Sequence, residues 1–413
     1  MNMFREQLPA ICYLRNTKYY IVSFNMLKSK NEILAYIERI LFMYLPSSDN
    51  LDIQYLSRLF DNKSECYKLF WFQAIVNQII NGKDHFTYEE LVDEMIADAW
   101  YMVSEYHLNL GPKDNLEIAV KRVQSISGMK PSEKKEILLD YLHTCSDKEV
   151  KRIKRILIEN VPYRLQAPFL ENLKGKSWDV PKKDLISRIN QERSLIYYFR
   201  IYDGMNTIIT IQPQWMDYIV KNQEIIKGWL QYHMIIYLQK RNPSVPGIAD
   251  KLYPPQERKL DKVKKYWKML IELQPVHEIY GNIELTKDDI SIDHFVPWSY
   301  VAHDEFWNLH PTTRSINSKK SNHLPDWEKY FFSFCEMGYL SYSMLWQNDR
   351  LHEEFDKCAK EHLNNDDIKQ KLYRPGLKKE EFADRLSEIV LPVYQSAKNS
   401  GFSNWVLCDE RAE

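Results

Sequence analysis

Apolar residues recur at helical spacing along most of this chain. In residues 30–45 they fall at every third or fourth position, which places them on one face of a helix. Thr87 and Glu90 have the spacing of a capping box, and they predict that a helix begins there and continues to Met102. The same spacing predicts further helices at residues 113–126, 131–144, 146–160, 182–202, 214–240, 256–272, 326–346, 349–362 and 378–398.

A few shorter segments have the β-branched and aromatic content of strands, namely 17–24, 276–284 and 291–296. A loop that contains Asn308 and a helix that begins near Ser315 should follow the last of these strands. We therefore predict a mainly α fold. Its parts are a helical N-terminal domain over 1–170, a helical middle region over 171–272, a small strand-containing module over 273–330 and a helical C-terminal region over 331–413.

The composition is that of an ordinary soluble globular protein, with 44% hydrophobic and 27% charged residues. The formal net charge of −1 provides no overall attraction to nucleic acid, so any nucleic-acid-binding surface must be a local patch or come from a partner.

Six scattered cysteines indicate reduced thiols. The start of the chain does not have the pattern of a secretory signal, and no apolar stretch is long enough to span a bilayer. We expect a cytoplasmic protein with no membrane association.

The residues that indicate chemistry lie between positions 292 and 325. An adjacent pair, Asp293 and His294, is followed by Asn308 fourteen positions after the histidine and by Asn317 nine positions further on. Histidine suits a general base, because its ordinary pKa of about 6.5 leaves much of it neutral at pH 7. A carboxylate and an amide oxygen, here Asp293 and Asn317, suit a hard divalent cation. Such a set is what hydrolysis of a phosphodiester requires.

This stretch resembles the HNH, or ββα-metal, endonuclease family, and in particular the branch found in RNA-guided CRISPR effector nucleases. The matching segments are Asp293–Pro297, Trp307–Leu309, Thr313–Ser315 and Asn317–Pro325. The resemblance covers about residues 275–330 and implies a ββα-metal module. It implies that His294 is the general base, that Asp293 and Asn317 are metal ligands for Mg²⁺ or Mn²⁺, and that Asn308 shapes the loop after His294.

Many members of that family support the motif with a structural zinc ion bound by two Cys-x-x-Cys pairs. The corresponding positions in this chain are His277 and Tyr280 for the first pair, and Thr313 and Ile316 for the second. Because none of them is cysteine, we expect no structural zinc.

Several cationic side chains near the motif are candidates for contact with nucleic acid. Lys264 and Lys265 precede it, whereas Arg314, Lys319 and Lys320 lie inside it, and Lys320 is the first choice for a phosphate contact. For the first two, a solvated helix surface is an equally good interpretation. His303, His310 and His323 could be additional metal ligands, although structural or surface histidines are more common.

The sequence therefore predicts a metal-dependent endonuclease that acts on DNA, in restriction or anti-phage defence. An RNA-cleaving, toxin-like nuclease and a non-catalytic binding protein with a retained HNH fold remain as alternatives. A regulatory partner protein and a homodimer are further expectations. The role of the helical regions rests on analogy rather than on any residue.

Overall fold

Polar side chains fix the beginnings of many helices in this protein. The computed structural model describes residues 45–61, 65–173, 175–254 and 259–408. The predicted capping box is present, because the Thr87 hydroxyl accepts from the Glu90 N–H while the Glu90 carboxylate accepts from the Thr87 N–H. Asp114 and Asp147 cap two of the next helices in the same manner. The strand predicted at 17–24 and most of the helix predicted at 30–45 lie outside the described residues.

The first part of the described chain is mostly helical. Its helices are α1 (Ile53–Ser57), α2 (Tyr67–Ile80), α3 (Tyr88–Ser104), α4 (Asn115–Ser127), α5 (Lys135–Thr144), α6 (Lys148–Leu157), α7 (Val161–Arg164), α8 (Lys182–Ile189), α9 (Pro213–Lys221) and α10 (Gln223–Arg241). A three-stranded antiparallel sheet joins them, formed by β1 (His85–Thr87), β2 (Tyr197–Ile201) and β3 (Ile208–Ile211) with β3 in the centre.

The second part carries the candidate module and the helices packed around it. These elements are α11 (Asp261–Leu273), β4 (Ser291–His294), β5 (Leu309–Thr312), α12 (Arg314–Lys320), β6 (Leu324–Pro325), α13 (Trp327–Leu345), α14 (Asp349–His362), α15 (Asp366–Tyr373), α16 (Lys379–Asn399) and β7 (Asn404–Trp405). Strands β4 and β5 form an antiparallel hairpin, and β6 pairs with β7 in parallel. The mainly α fold with a small ββα module is confirmed.

Three local predictions were wrong. The helix predicted over 182–202 ends at Ile189, because the alternating aromatic residues of β2 pair with β3 instead. The helix predicted over 214–240 is interrupted at Asn222, whose side-chain amide donates to the carbonyl of Tyr218. The segment 276–284 is a turn with one isolated bridge rather than a strand.

The hairpin β4–β5 lies on an aromatic cluster. The ring of Phe295 stacks on that of Phe334 in α13, with 4.4 Å between ring centroids. On the other side of the module, Phe306 packs edge-on against Tyr266 of α11 and Phe355 of α14. These contacts bury large apolar areas and fix the hairpin between three helices. No helix among the described residues is long and apolar enough to cross a membrane.

Residues Pro46–Glu413 belong to one compact unit of the chain. The division into four regions at 170, 272 and 330 stays a prediction. The described cysteines are free thiols, at Cys66, Cys145, Cys335, Cys358 and Cys408.

Candidate active site

Asp293 and His294 lie at the end of β4 where the hairpin opens into its long loop. In the antiparallel register Asp293 is opposite His310, and His294 is opposite Leu309. Neighbouring residues of a strand direct their side chains to opposite faces. The two candidate residues accordingly contact different sets of side chains.

The carboxylate of Asp293 is surrounded by hydrogen-bond donors. Its Oδ1 accepts from Lys320 Nζ at 3.1 Å and from the His294 N–H at 2.7 Å, and its Oδ2 accepts from the Tyr280 hydroxyl at 2.9 Å. Asp293 is 4% exposed and Lys320 is fully buried. Burial alone would raise the pKa of Asp293, but the charge of Lys320, the two neighbouring histidines and the Tyr280 hydroxyl together hold that pKa below its ordinary value. The carboxylate is therefore ionised at neutral pH.

His310 faces Asp293 across the hairpin as a neutral ring. Its Nε2 lies 3.7 Å from Asp293 Oδ2, beyond hydrogen-bond distance. Burial lowers the pKa of His310 to about 3, although the nearby carboxylate acts in the opposite direction. Neither ring nitrogen has a hydrogen-bond partner within the part of the chain that the structure describes. His310 is thus a buried polar group close to a candidate metal ligand, and nothing in the sequence separates it from His303 and His323.

His294 contacts a second carboxylate. Its Nε2 lies 2.7 Å from Oδ1 of Asp304, and the ring is only 4% exposed. Asp304 belongs to the loop that joins β4 to β5 and is about a quarter exposed. A histidine held in this way has Nε2 committed to the carboxylate, and proton transfer from a water molecule would then involve its other ring nitrogen, Nδ1.

Asn308 fixes the backbone just after His294. Its Oδ1 accepts from the Val296 N–H and its Nδ2 donates to the Val296 carbonyl, each at 2.8 Å. The Asn308 carbonyl also accepts from the Phe295 N–H at 2.9 Å. The side chain is completely buried, so this asparagine ties the two ends of the loop together. These contacts are the type that the resemblance implies for Asn308.

Asn317 lies one helical turn before Lys320 in α12. Its Nδ2 donates to Ser291 Oγ at 2.7 Å and to the Ile292 carbonyl at 3.2 Å. These bonds fix α12 on β4 and leave the amide oxygen of Asn317 as the atom that could bind a cation.

The position of Lys320 does not fit the phosphate contact predicted for it. Its ammonium group is buried and donates to Asp293 and, at 2.8 Å, to the His294 carbonyl. A phosphate group outside the protein cannot reach it in this conformation. The reason is that α12 packs directly on β4 with the Lys320 side chain on the face of the helix that points inward.

The other candidate cations lie on the surface. Arg314 is exposed and donates to the Asp288 carbonyl at 3.3 Å, and Lys319 is exposed in the last turn of α12. In α11, Lys264 is half-buried, whereas Lys265 forms an ion pair with Glu354 at 2.8 Å. Nucleic-acid contact by any of these four stays a prediction.

The donor chemistry of the site fits a hard divalent cation. Asp293 offers a carboxylate and Asn317 an amide oxygen, which are ligands that Mg²⁺ and Mn²⁺ accept. Among the described residues, no group of three or more His, Cys, Asp or Glu side chains is arranged to hold a metal ion. A cation bound at Asp293 would compete with the ammonium group of Lys320 for the same carboxylate.

A buried glutamate supports the turn that contains His277 and Tyr280, two of the positions at which the sequence lacks zinc-binding cysteines. Glu278 is 1% exposed, and its carboxylate accepts from the N–H groups of Tyr280 at 2.8 Å, Gly281 at 2.5 Å and Ile283 at 3.2 Å. The same turn carries Tyr280, whose hydroxyl donates to the Asp293 carboxylate. The absence of structural zinc stays a prediction, and Glu278 gives a physical account of how the turn can hold without it.

The sequence pattern did not single out Glu278, Tyr280 as a partner of Asp293, or Asp304. Tyr280 was considered only as a position of the zinc motif. Glu278 and Asp304 lie at no motif spacing, and the contact of each depends on how its own loop or turn folds. Of the other two histidines considered as ligands, His303 is exposed and His323 Nδ1 lies 2.8 Å from Ser403 Oγ.

Comparison with known proteins identifies the module. A family model described as HNH endonuclease matches residues 278–326, which contain the hairpin, Asn308 and α12. This segment is therefore similar to HNH endonucleases, and the similarity supports a nuclease activity in general. Neither the curated proteins nor the solved structures gave a match to the chain.

Proposed function

We propose that this protein is a divalent-metal-dependent endonuclease that hydrolyses phosphodiester bonds in DNA. The observation that carries the proposal is the arrangement of Asp293, His294 and Asn317 on β4 and α12, inside the segment that matches the HNH family. Its similarity to the branch of RNA-guided CRISPR effector nucleases, and a role in restriction or anti-phage defence in the cytoplasm, belong to the same proposal.

Each residue has a specific role in this reaction. His294 takes a proton from the water that attacks phosphorus, Asp293 and Asn317 hold Mg²⁺ or Mn²⁺, and Asn308 keeps the loop after His294 in place. The cation, when bound, neutralises charge on the phosphate and on the leaving oxygen. A cation held there would compete with Lys320 for the Asp293 carboxylate. Arg314, Lys319, Lys264 and Lys265 would contact the phosphate backbone.

The site as described is closed to a phosphodiester, since Asp293 and His294 are both nearly buried. Binding of nucleic acid must therefore open the approach to His294. A regulatory partner or a second copy of the chain could drive this opening, and both remain part of the proposal.

Cleavage of supercoiled plasmid tests the assigned base. Wild type should nick the plasmid with Mg²⁺ or Mn²⁺ and not with EDTA, and His294→Ala should lower the rate by about 10²- to 10⁴-fold. His303→Ala, which changes an exposed histidine of the same loop, should cut like wild type. Full cleavage by His294→Ala would eliminate the mechanism.

One observation favours a second candidate, a nucleic-acid- or partner-binding protein that retains the HNH fold. His294 is buried, and Asp293 already has a cationic partner in Lys320. This candidate predicts that neither plasmid DNA nor single-stranded RNA is cut under any metal condition. Cleavage of RNA alone would instead identify a toxin-like ribonuclease with the same site.

A further inference from the structure

The loop between β4 and β5 brings a carboxylate to the candidate general base. Asp304 Oδ1 lies 2.7 Å from His294 Nε2. This short distance is typical of a hydrogen bond in which one partner is charged. Ten residues separate the two along the chain, and no motif spacing connects them. The contact exists because the loop folds back over the end of β4.

Residues 297–305 of this loop are held from several directions. Lys251 Nζ donates to the Val301 carbonyl at 2.9 Å, and the Tyr300 hydroxyl donates to the Ser244 carbonyl at 2.8 Å. The segment is therefore anchored to the chain that follows α10, at positions 50 and 56 residues away in sequence.

A third anchor acts on Asp304 itself. His362, in the last turn of α14, has its Nδ1 2.7 Å from the Asp304 carbonyl oxygen. Because a carbonyl oxygen only accepts, this nitrogen carries the proton. Asn364 Nδ2 donates to the neighbouring Glu305 at 3.0 Å. The backbone that carries Asp304 is thus fixed on the C-terminal helices, outside the segment that matches the family.

We propose that Asp304 is the positioning residue for His294. The helices around the HNH module contribute to this part of the active site by holding the loop that carries Asp304 in place. The inference rests on the proposed function. By accepting from Nε2–H, the Asp304 carboxylate selects the tautomer whose Nδ1 has the lone pair, and it fixes the ring orientation. When water attacks, its proton passes to Nδ1, and the resulting imidazolium keeps Nε2–H on Asp304. No proton moves to the carboxylate.

The experiment compares Asp304→Asn and Asp304→Ala with wild type and with His303→Ala as the matched loop control. The asparagine variant keeps an acceptor oxygen without the charge, so kcat should fall in the order wild type, Asn, Ala. The total loss should be roughly 10- to 100-fold at little change in KM. Binding of Mn²⁺, followed by its electron paramagnetic resonance signal, should be unchanged, because Asp304 is not one of the proposed metal ligands.

A second measurement does not depend on activity. With ¹⁵N-labelled histidine, His294 of wild type should show the Nε2–H tautomer, and Asp304→Ala should lose that preference.

Unchanged kcat in Asp304→Ala, with His294→Ala inactive, would overturn the inference while leaving the proposed function intact. An increase in kcat would also overturn it, since Asp304 would then be an obstruction. If wild type does not cut any substrate, the proposed function fails, and the tautomer measurement still decides whether Asp304 orients His294.

Discussion

At the scale of single residues, the surroundings of Lys320 decide the charge of the site. An ammonium group buried without a carboxylate would be costly, and so would Asp293 without a counter-charge. Together they form a buried pair, which the Tyr280 hydroxyl completes. The same lysine, judged from its sequence position alone, resembled a phosphate contact on a helix end. Only the packing of α12 on β4 distinguishes these two roles.

Replacing Lys320 by methionine should leave Asp293 charged and buried without its cation. We expect the free energy of unfolding, measured by urea denaturation, to fall by about 3–5 kcal/mol. Millimolar Mg²⁺ should restore more stability to this variant than it adds to wild type, because no ammonium group competes for the carboxylate. Lys319→Met, on the exposed side of the same helix turn, should behave like wild type. Equal stability of both variants would contradict the buried pair.

At the scale of elements, helices were predicted better than the strands and turns that support the site. The capping box at Thr87 and the periodicity of α13, α14 and α16 are local signals, so their positions follow from nearby residues. Strand β2 and the 276–284 turn depend instead on partners far along the chain or on a buried carboxylate. The turn is held by Glu278, whose role no local propensity indicates.

Glu278→Gln tests how this turn is supported. The amide offers one acceptor oxygen in place of two, so some of the three N–H groups lose their partner, and the free energy of unfolding should fall by about 1–3 kcal/mol. Thermal and urea denaturation measure the change, with Glu284→Gln, an exposed residue of the same turn, as the control. A zinc chelator should not change the unfolding temperature of wild type. A marked decrease with the chelator would show that a metal, and not the carboxylate, supports the turn.

At the scale of the whole molecule, distant regions converge on the HNH module. Asn322 donates to the Glu105 carbonyl at the end of α3, and Lys251 reaches the 297–305 loop from the segment after α10. Lys251 is 3% exposed, with its ammonium group 5.2 Å from the centroid of the Tyr106 ring. The helical regions are therefore structural parts of the site as well as candidates for recognition.

Lys251 should give the stability of the protein a specific pH dependence. Burial lowers the pKa of Lys251 to about 8 from 10.5. At a pH between these two values, Lys251 is protonated in the unfolded chain and deprotonated in the folded protein. The free energy of unfolding therefore rises with pH across this range. Relative to Lys251→Met, wild type should gain up to about 3 kcal/mol from about pH 7 to about pH 10.5 in urea denaturation. Lys240→Met, which changes an exposed lysine, should show no such difference, and a flat comparison for Lys251→Met would refute the buried charge.

The sequence by itself determined the mainly α character of the chain, the position of strand β4, and the residues Asp293, His294, Asn308 and Asn317 as a candidate set, whereas the pairing of β4 with β5 was not predicted. It could do so because periodicity, caps and motif spacing are carried by residues close together in the chain. Tertiary structure alone decided that Lys320 neutralises Asp293, that the Tyr280 hydroxyl donates to the same carboxylate, and that Asp304 meets His294. Electrostatic environment and hydrogen-bond partners depend on which distant segments are packed together, and burial makes those contacts strong enough to set the chemistry of the site.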